Sequence, residues 1–315
     1  MRPEPRIREY RAEDAAAVAD LLAPLVPADE PITAAGMAHW LDTMRPEEGK
    51  LWVAECGGEI VGWAESTLHF SAVDRDVERV WAAVRPDQRR RGLGARLYRM
   101  AEERALSREP RMLRSWAMSD DAEGVGFLRS RGFDVRRTSK MWALDPATVD
   151  LSDLSRREVD AAAAGYRLAP LRDLLHRPED LYRAFHAAER DMPNDLEVGG
   201  VTFEEWRRLV LGGPELDLDG SFVALGGDEP VALAWLAVDR ERGLAGNAIT
   251  GTVPAHRHRG LARLVKLATV RWAVAHGIRR IASSNDSTNR DMLALNEHLG
   301  YQPMPDFLIF GKTLR

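Results

Sequence analysis

Cysteine is nearly absent: Cys56 is the single one in 315 residues. One thiol makes neither an intrachain disulfide nor a cysteine-based metal cluster, and such usage fits a reducing compartment. Lysine is scarce as well, confined to Lys50, Lys140, Lys266 and Lys312, so arginine carries the positive charge. No stretch approaches the roughly 18 uninterrupted apolar residues that a bilayer span takes. The opening MRPEPRIREYRAED lacks the apolar core of a signal peptide, so a cytoplasmic protein is expected. An excess of positive charge is missing too: the formal net charge is −5 and the pI about 6.0. That excludes a protein coating nucleic acid or anionic membrane with its whole surface, and any basic site must be local.

What is present is ordinary globular composition, 45% hydrophobic and 30% charged, long enough for two domains. A repeat makes the division concrete. Pro86-Asp87-Gln88-Arg89-Arg90-Arg91-Gly92-Leu93-Gly94 matches Pro254-Ala255-His256-Arg257-His258-Arg259-Gly260-Leu261-Ala262 at a spacing of 168 residues, and Arg131-Gly132-Phe133 matches Leu299-Gly300-Tyr301 at the same spacing. Two motifs sharing one offset indicate a tandem duplication. The expected organisation is a first domain over 1–150, a connection over 151–165 and a second domain over 166–315.

Each half has the same coarse plan, an α/β layer structure with a central mixed sheet flanked by helices. In the first, a strand at Ile7 to Tyr10 precedes a helix from Ala12 to Leu25 with Glu13 and Asp14 in its first turn. A hairpin turns at Gly57-Gly58, and a further strand runs from Val77 to Val84. Leu93, Leu97, Met100 and Ala101 recur at helical spacing over Gly92 to Leu106. A strand, a helix near Ala122 to Ser130 and a last strand near Val135 to Leu144 complete the unit. The second half repeats this, ending on a strand at Phe307 to Lys312.

In both halves a strand ends, a proline follows, and Arg-x-x-Gly-x-(Gly/Ala) opens a long helix. A helix N-terminus presents unpaired N–H groups and a positive dipole end, and small residues let a pyrophosphate approach the backbone. The pattern is neither the P-loop G-x-x-x-x-G-K-(S/T) nor the dinucleotide fingerprint. Arg89 to Gly94 and Arg257 to Ala262 resemble the acetyl-CoA motif of the GCN5-related N-acetyltransferase (GNAT) family, and the order of elements agrees over nearly the whole chain as two copies. The resemblance implies acetyl-CoA or another acyl-CoA as co-substrate. Its pyrophosphate would lie over Arg90, Arg91, Gly92, Leu93, Gly94 and Ala95, and over His258, Arg259, Gly260, Leu261, Ala262 and Arg263. Its pantetheine arm would pair with Ala82, Ala83 and Val84, and with Thr250, Gly251 and Thr252. His256 and His258 have no carboxylate or thiol at ligand spacing, so no metal is expected; they read as phosphate-side donors or solvent-facing residues.

Acyl transfer to an amine needs the amine neutral, hence a base, and gains from a donor to the departing thiolate. By resemblance the base is a Glu eleven residues before the motif's first residue, and the acid a Tyr four before the Gly of Gly-Phe. Glu78 stands at the first place, as a base or as a strand residue paired with arginine, while the second holds Leu128. In the second half Gly246 and Asn296 occupy these places. Asn285 and Asn289 there read as CoA-side contacts, with helix capping the other reading for Asn289. The acidic turn holding Glu189, Asp191 and Asp195 points to a cationic acceptor in the second half, one of the three serving as base. The expected activity is transfer of an acetyl or acyl group to the primary amine of a small molecule such as an antibiotic, an amino sugar or a metabolite. The competing expectation is an acyl-CoA sensor or a structural pseudoenzyme in one or both halves. No nucleic-acid or membrane partner is expected, and the chain would act as a monomer or homodimer.

Overall fold

The computed structural model describes residues 4–45, 47–68, 73, 76–197 and 201–315. The first repeat contains β1 (Arg6–Glu9), α1 (Ala15–Leu22), α2 (Ala34–Thr43), β2 (Gly49–Cys56), β3 (Glu59–Leu68), β4 (Val77–Val84), α3 (Leu93–Leu106), β5 (Met112–Met118), α4 (Ala122–Arg129) and β6 (Asp134–Leu144). A helix, α5 (Leu154–Ala163), follows. The second repeat contains β7 (Tyr166–Pro170), α6 (Pro178–Glu189), α7 (Phe203–Trp206), β8 (Leu216–Gly226), β9 (Glu229–Asp239), β10 (Leu244–Thr252), α8 (Leu261–Ala275), β11 (Arg280–Asp286), α9 (Arg290–His298), β12 (Gln302–Pro303) and β13 (Phe307–Thr313). No described helix is long and apolar enough to cross a membrane.

The described strands form one sheet, in the order β1-β2-β3-β4-β5-β13-β6-β11-β10-β9-β8-β7, with β12 beside β6. Its centre is an exchange. β13 of the second repeat pairs antiparallel with β5 of the first, and β6 of the first pairs antiparallel with β11 of the second. The registers are equivalent: Leu113 faces Lys312, and Ile281 faces Leu144, each partner moved by the repeat spacing. The last strand of each repeat therefore lies in the other repeat's sheet.

Two apolar layers cover each half. In the first, α1 and α2 pack Val18, Leu22 and Met37 over Trp63 and Trp81 on one face. On the opposite face α3 buries Leu93, Leu97, Tyr98 and Ala101, spaced along one helical stripe, against Val80 and Leu113. Phe310, contributed by β13, lies in that second layer. Its counterpart in the repeat, Trp142 of β6, lies under α8 of the second half with Leu144 and Leu154.

The sequence expectations missed α2, whose N-cap Thr33 accepts from Gly36 N at 2.9 Å. The segment read as a connection is partly helical: α5 anchors on the buried Leu154, its Arg156 and Asp160 are exposed, and its half-buried Glu158 pairs with Arg271 of α8 at 2.9 Å. The first helix is shorter than expected, because Ala12–Asp14 forms a separate 3-10 turn before it.

Candidate functional site

In each repeat the strand that leads into the Arg-x-x-Gly turn parts from its parallel neighbour. β4 and β5 are paired at Val77/Met112, Glu78/Leu113 and Arg79/Arg114, after which β5 pairs on with β13 alone. β10 and β11 are paired from Leu244/Arg280 to Gly246/Ala282 and then separate in the same way. The splay leaves strand backbone facing a gap, where an extended ligand can complete the ladder.

Beyond the gap the chain turns into α3 or α8 with the same backbone signature. Arg90 and His258 have φ of 61° and 60°, and the glycines that cap the helices, Gly92 and Gly260, have φ of 79° and 74°. Such a reversal turns successive N–H groups to one side and makes an anion nest at a positive helix end. A Cβ added at Gly92 would meet nothing within 4 Å, so the glycine serves the left-handed backbone and leaves the nest open. The first arginine of each motif braces the turn: Arg89 Nε donates to Val84 O at 3.0 Å and Arg257 Nε to Thr252 O at 3.1 Å. Arg91 donates to Gln88 Oε1, and Arg259 to the Tyr166 hydroxyl, which also meets His256 Nδ1.

The two clefts differ in size. The first-half cavity measures about 1090 Å³ and is lined by Ala82, Ala83, Val84, Arg89, Arg90, Gly92, Gly94 and Ala95 among others. It passes through the splay: Trp81 and Ala83 belong to the layer under α1 and α2, whereas Val84, Ala117 and Leu128 belong to the layer under α3. Ser115, 2% exposed, lines it, and its hydroxyl has no hydrogen-bond partner in the protein. A buried orphan hydroxyl at a cavity wall calls for a ligand or water. Sequence reasoning missed this residue, although Ser283 stands at the repeat spacing from it. The second cavity is about 370 Å³, lined by Thr250, Gly251, Thr252, His258, Gly260, Leu261, Ala262 and Asn289. Leu93 is in the core, and Arg91, Arg259, Arg263 and Asn285 lie outside the two linings.

The expected catalytic residues do not gather in one place. Glu78, 1% exposed, is held by Arg104 at 3.4 Å and by Arg108 at 2.5 Å, and Ser66 donates to it at 3.5 Å. Burial pushes its carboxyl above the usual range while the two guanidiniums pull it back. It does not line the cavity. Glu189 meets His186 Nδ1 at 3.3 Å, and Asp191 pairs with Arg257 at 2.7 Å on the second cavity's wall. Asp195 crosses to the other half, where Arg114 of β5 grips its two oxygens. Asn296 is fully buried and Asn289 caps α9 through Met292 N at 3.3 Å.

A reciprocal crossing closes the second half. The loop after α1 lays Asp29 over β10, so that a Cβ at Gly246 would stand 1.9 Å from the Asp29 carbonyl oxygen. Only glycine fits there, which accounts for the missing counterpart of Glu78. A Cβ at Gly251 would likewise lie 2.6 Å from Ala188 of α6. Among the described residues no cluster of three metal-ligating side chains occurs.

The geometry has relatives. The chain is 24% identical over 295 residues to a mycothiol acetyltransferase of a Nocardioides species, covering 85% of this chain and 87% of that one. It is 26% identical over 263 residues to a mycothiol acetyltransferase of Amycolatopsis mediterranei, covering 80% and 81%. Among solved structures, a tandem GNAT protein from the clavulanic acid biosynthesis pathway superposes with a TM-score of 0.70 at 19% identity, each chain covered to 98%. A GCN5-related N-acetyltransferase from Sphaerobacter thermophilus gives 0.67 at 18% identity, covering 99% of this chain and 96% of that one. The model of the acetyltransferase (GNAT) family matches residues 15–133 and again 177–301. Two family matches over most of the sequence, each containing a splayed strand pair and an anion nest, make this chain a member of the GNAT acetyltransferase family.

Proposed function

We propose that the protein is an acyl-CoA-dependent N-acyltransferase acting on the amine of a small molecule, with transfer carried out in the first of two repeats, 1–150 and 166–315, joined by 151–165. The observation that carries this is the cavity of about 1090 Å³ that runs from the anion nest at Gly92 through the splay to the opposite sheet face. A thioester donor and an acceptor entering from opposite faces can meet inside it. The backbone of Arg90 to Ala95 would hold the pyrophosphate, the free peptide edge of Ala82 to Val84 the pantetheine, and the Ser115 hydroxyl would donate to an acceptor atom of that arm. Bound acyl-CoA supplies an activated thioester carbon, on which a neutral amine displaces the thiolate.

For the second repeat we infer acyl-CoA binding or a purely structural role. Its nest at Gly260 is intact, yet Asp29 covers Gly246 and Ala188 covers Gly251, and its cavity is about a third of the other's volume. The acidic turn that pointed to an acceptor site there has Asp195 bound to Arg114 instead.

Comparing Gly92→Glu with Gly260→Glu separates these roles. A carboxylate in the nest should weaken acetyl-CoA binding by calorimetry at least about tenfold, through repulsion and left-handed strain. Thiol release in the presence of an amine panel should stop with Gly92→Glu and continue with Gly260→Glu. If neither substitution weakens acetyl-CoA binding, the co-substrate assignment is wrong; if Gly260→Glu alone stops turnover, transfer belongs to the second repeat.

A further inference from the structure

The far end of the first-half cavity has a composition that the proposed transfer does not by itself require. Pro24, Leu25, Trp81, Ala83, Trp116 and Met118 line it. Trp81 and Trp116 stack across the splay with ring centroids 4.2 Å apart and planes at 22°, and Phe307 of β13 backs Trp116 at 5.4 Å. The carboxylates of the lining, Asp120, Asp121 and Glu123, all sit at the start of α4. Asp121 caps that helix through Gly124 N, and Glu123 lies within 4 Å of Arg89 and Arg90. On the α1 face two acidic side chains are paired. Glu65, in register with Trp81, accepts from Trp63 Nε1 and pairs with Arg79 at 2.9 Å. Asp195 is bound to Arg114, and Glu30, whose carboxyl burial and the neighbouring Asp29 push up to about 7, lies outside the lining.

An ammonium group entering this end would lose its hydration without meeting a carboxylate among the described residues Pro24, Leu25, Trp81, Ala83, Trp116 and Met118 that line it. Among the described residues that line this end, none is an unpaired base to take its proton. An apolar group whose attached nitrogen is already neutral at pH 7 meets neither obstacle.

We propose that this end of the site takes an uncharged, apolar group: an aromatic, weakly basic amine acceptor, or the same apolar chemistry supplied by the acyl chain of the thioester. The inference rests on the acyl-CoA assignment above and narrows its acceptor away from polyamines and amino sugars. A weakly basic aryl nitrogen has little proton to lose before attack, so the reaction can proceed without a carboxylate base; the proton it sheds afterwards passes to water at the open mouth.

The test uses the intact chain, with acetyl-CoA binding measured first by calorimetry. Initial rates are then taken with aniline-type and phenethylamine-type acceptors, a polyamine and glucosamine, and separately with acetyl-, hexanoyl- and phenylacetyl-CoA against one small amine. With acetyl-CoA, kcat/KM should be at least about a hundredfold higher for the aniline-type amine than for the polyamine, the size of effect a few kcal/mol gives. Preference for hexanoyl- or phenylacetyl-CoA with no preference among amines assigns the apolar group to the acyl chain. Leu25→Asp, which puts a carboxylate on the half-buried rim, should narrow the aryl-over-polyamine ratio at least about tenfold while leaving acetyl-CoA affinity unchanged. Fastest turnover of the polyamine or glucosamine with acetyl-CoA overturns the inference. Failure of every acyl-CoA to bind overturns the underlying assignment instead, and the calorimetry detects that before any amine is added.

Discussion

Lys266 is a fully buried lysine whose Nζ donates to Asn296 Oδ1 at 2.7 Å, while Asn296 Nδ2 donates to Asn285 Oδ1 at 2.6 Å. A protonated lysine has no acceptor, so in that state it fixes the sense of both amides, and Asn285 is left presenting its own N–H groups. Asn296 thus orients a neighbour instead of touching a ligand, a role hidden at sequence level because the residue that buries beside it, Lys266, is 30 positions away. Glu78 is the same kind of case: its strand position was legible, but Arg104 and Arg108, which occupy its carboxylate, lie at the far end of α3 and just beyond it. Burial lowers the Lys266 pKa to about 7, although Asn296 and the Tyr301 ring face its ammonium. Above that pH the folded protein has released a proton that the unfolded chain keeps until near its ordinary value of about 10.4, so stability rises with pH through this window. Below it both states hold the proton and the full burial penalty stands. Relative to Lys266→Met, the wild-type protein should therefore gain up to about 1.4 kcal/mol per pH unit between pH 7 and 9, read by urea melts at fixed pH. Parallel curves for the two proteins would show that Lys266 does not titrate in that range.

The turns before α3 and α8 show how much of an element sequence can specify. Their glycines, the proline ahead of them and the helical stripe of Leu93, Leu97 and Ala101 were legible, because each follows from local backbone or periodic burial. The helices α2 and α5 were not: their apolar stripes are weak, and partners elsewhere stabilise them, as Glu215 does when Thr33 Oγ1 donates to its carboxylate at 2.6 Å. The positive φ of Arg90, 61°, was also illegible, since nothing about an arginine announces a left-handed backbone. It is testable. Asn tolerates that conformation and a β-branched residue does not, and both remove the same charge. Arg90→Asn should leave stability within about 0.5 kcal/mol, while Arg90→Val should lose about 1–2 kcal/mol. Acetyl-CoA affinity should fall further in the valine variant, because the nest would be distorted as well as less charged. Equal losses in thermal melts and calorimetry for the two variants would mean that the backbone reversal is not part of the cradle.

At the scale of the molecule the repeat spacing identifies the copies but says nothing of which sheet each last strand joins. Both arrangements bury the same alternating residues, because side-chain period within a strand does not encode its neighbour. The structure chooses exchange twice over: β6 and β13 trade places, and the loops carrying Asp29 and Asp195 each reach the other half. Neither half then has a complete core of its own, since Phe310 fills the layer under α3 and Trp142 the layer under α8. Exchange therefore couples the clefts mechanically, and a cavity made in one repeat should loosen the other. Phe310→Ala removes a fully buried ring and should cost about 3–5 kcal/mol. Because that ring belongs to the second repeat in sequence and to the first in space, hydrogen exchange should quicken in β4, β5 and α3 more than in β10 and α8. Trp142→Ala should give the mirror image, loosening β10, β11 and α8 while β4 and α3 stay protected. Faster exchange confined to the repeat that carries each substitution would mean that the halves fold on their own last strands.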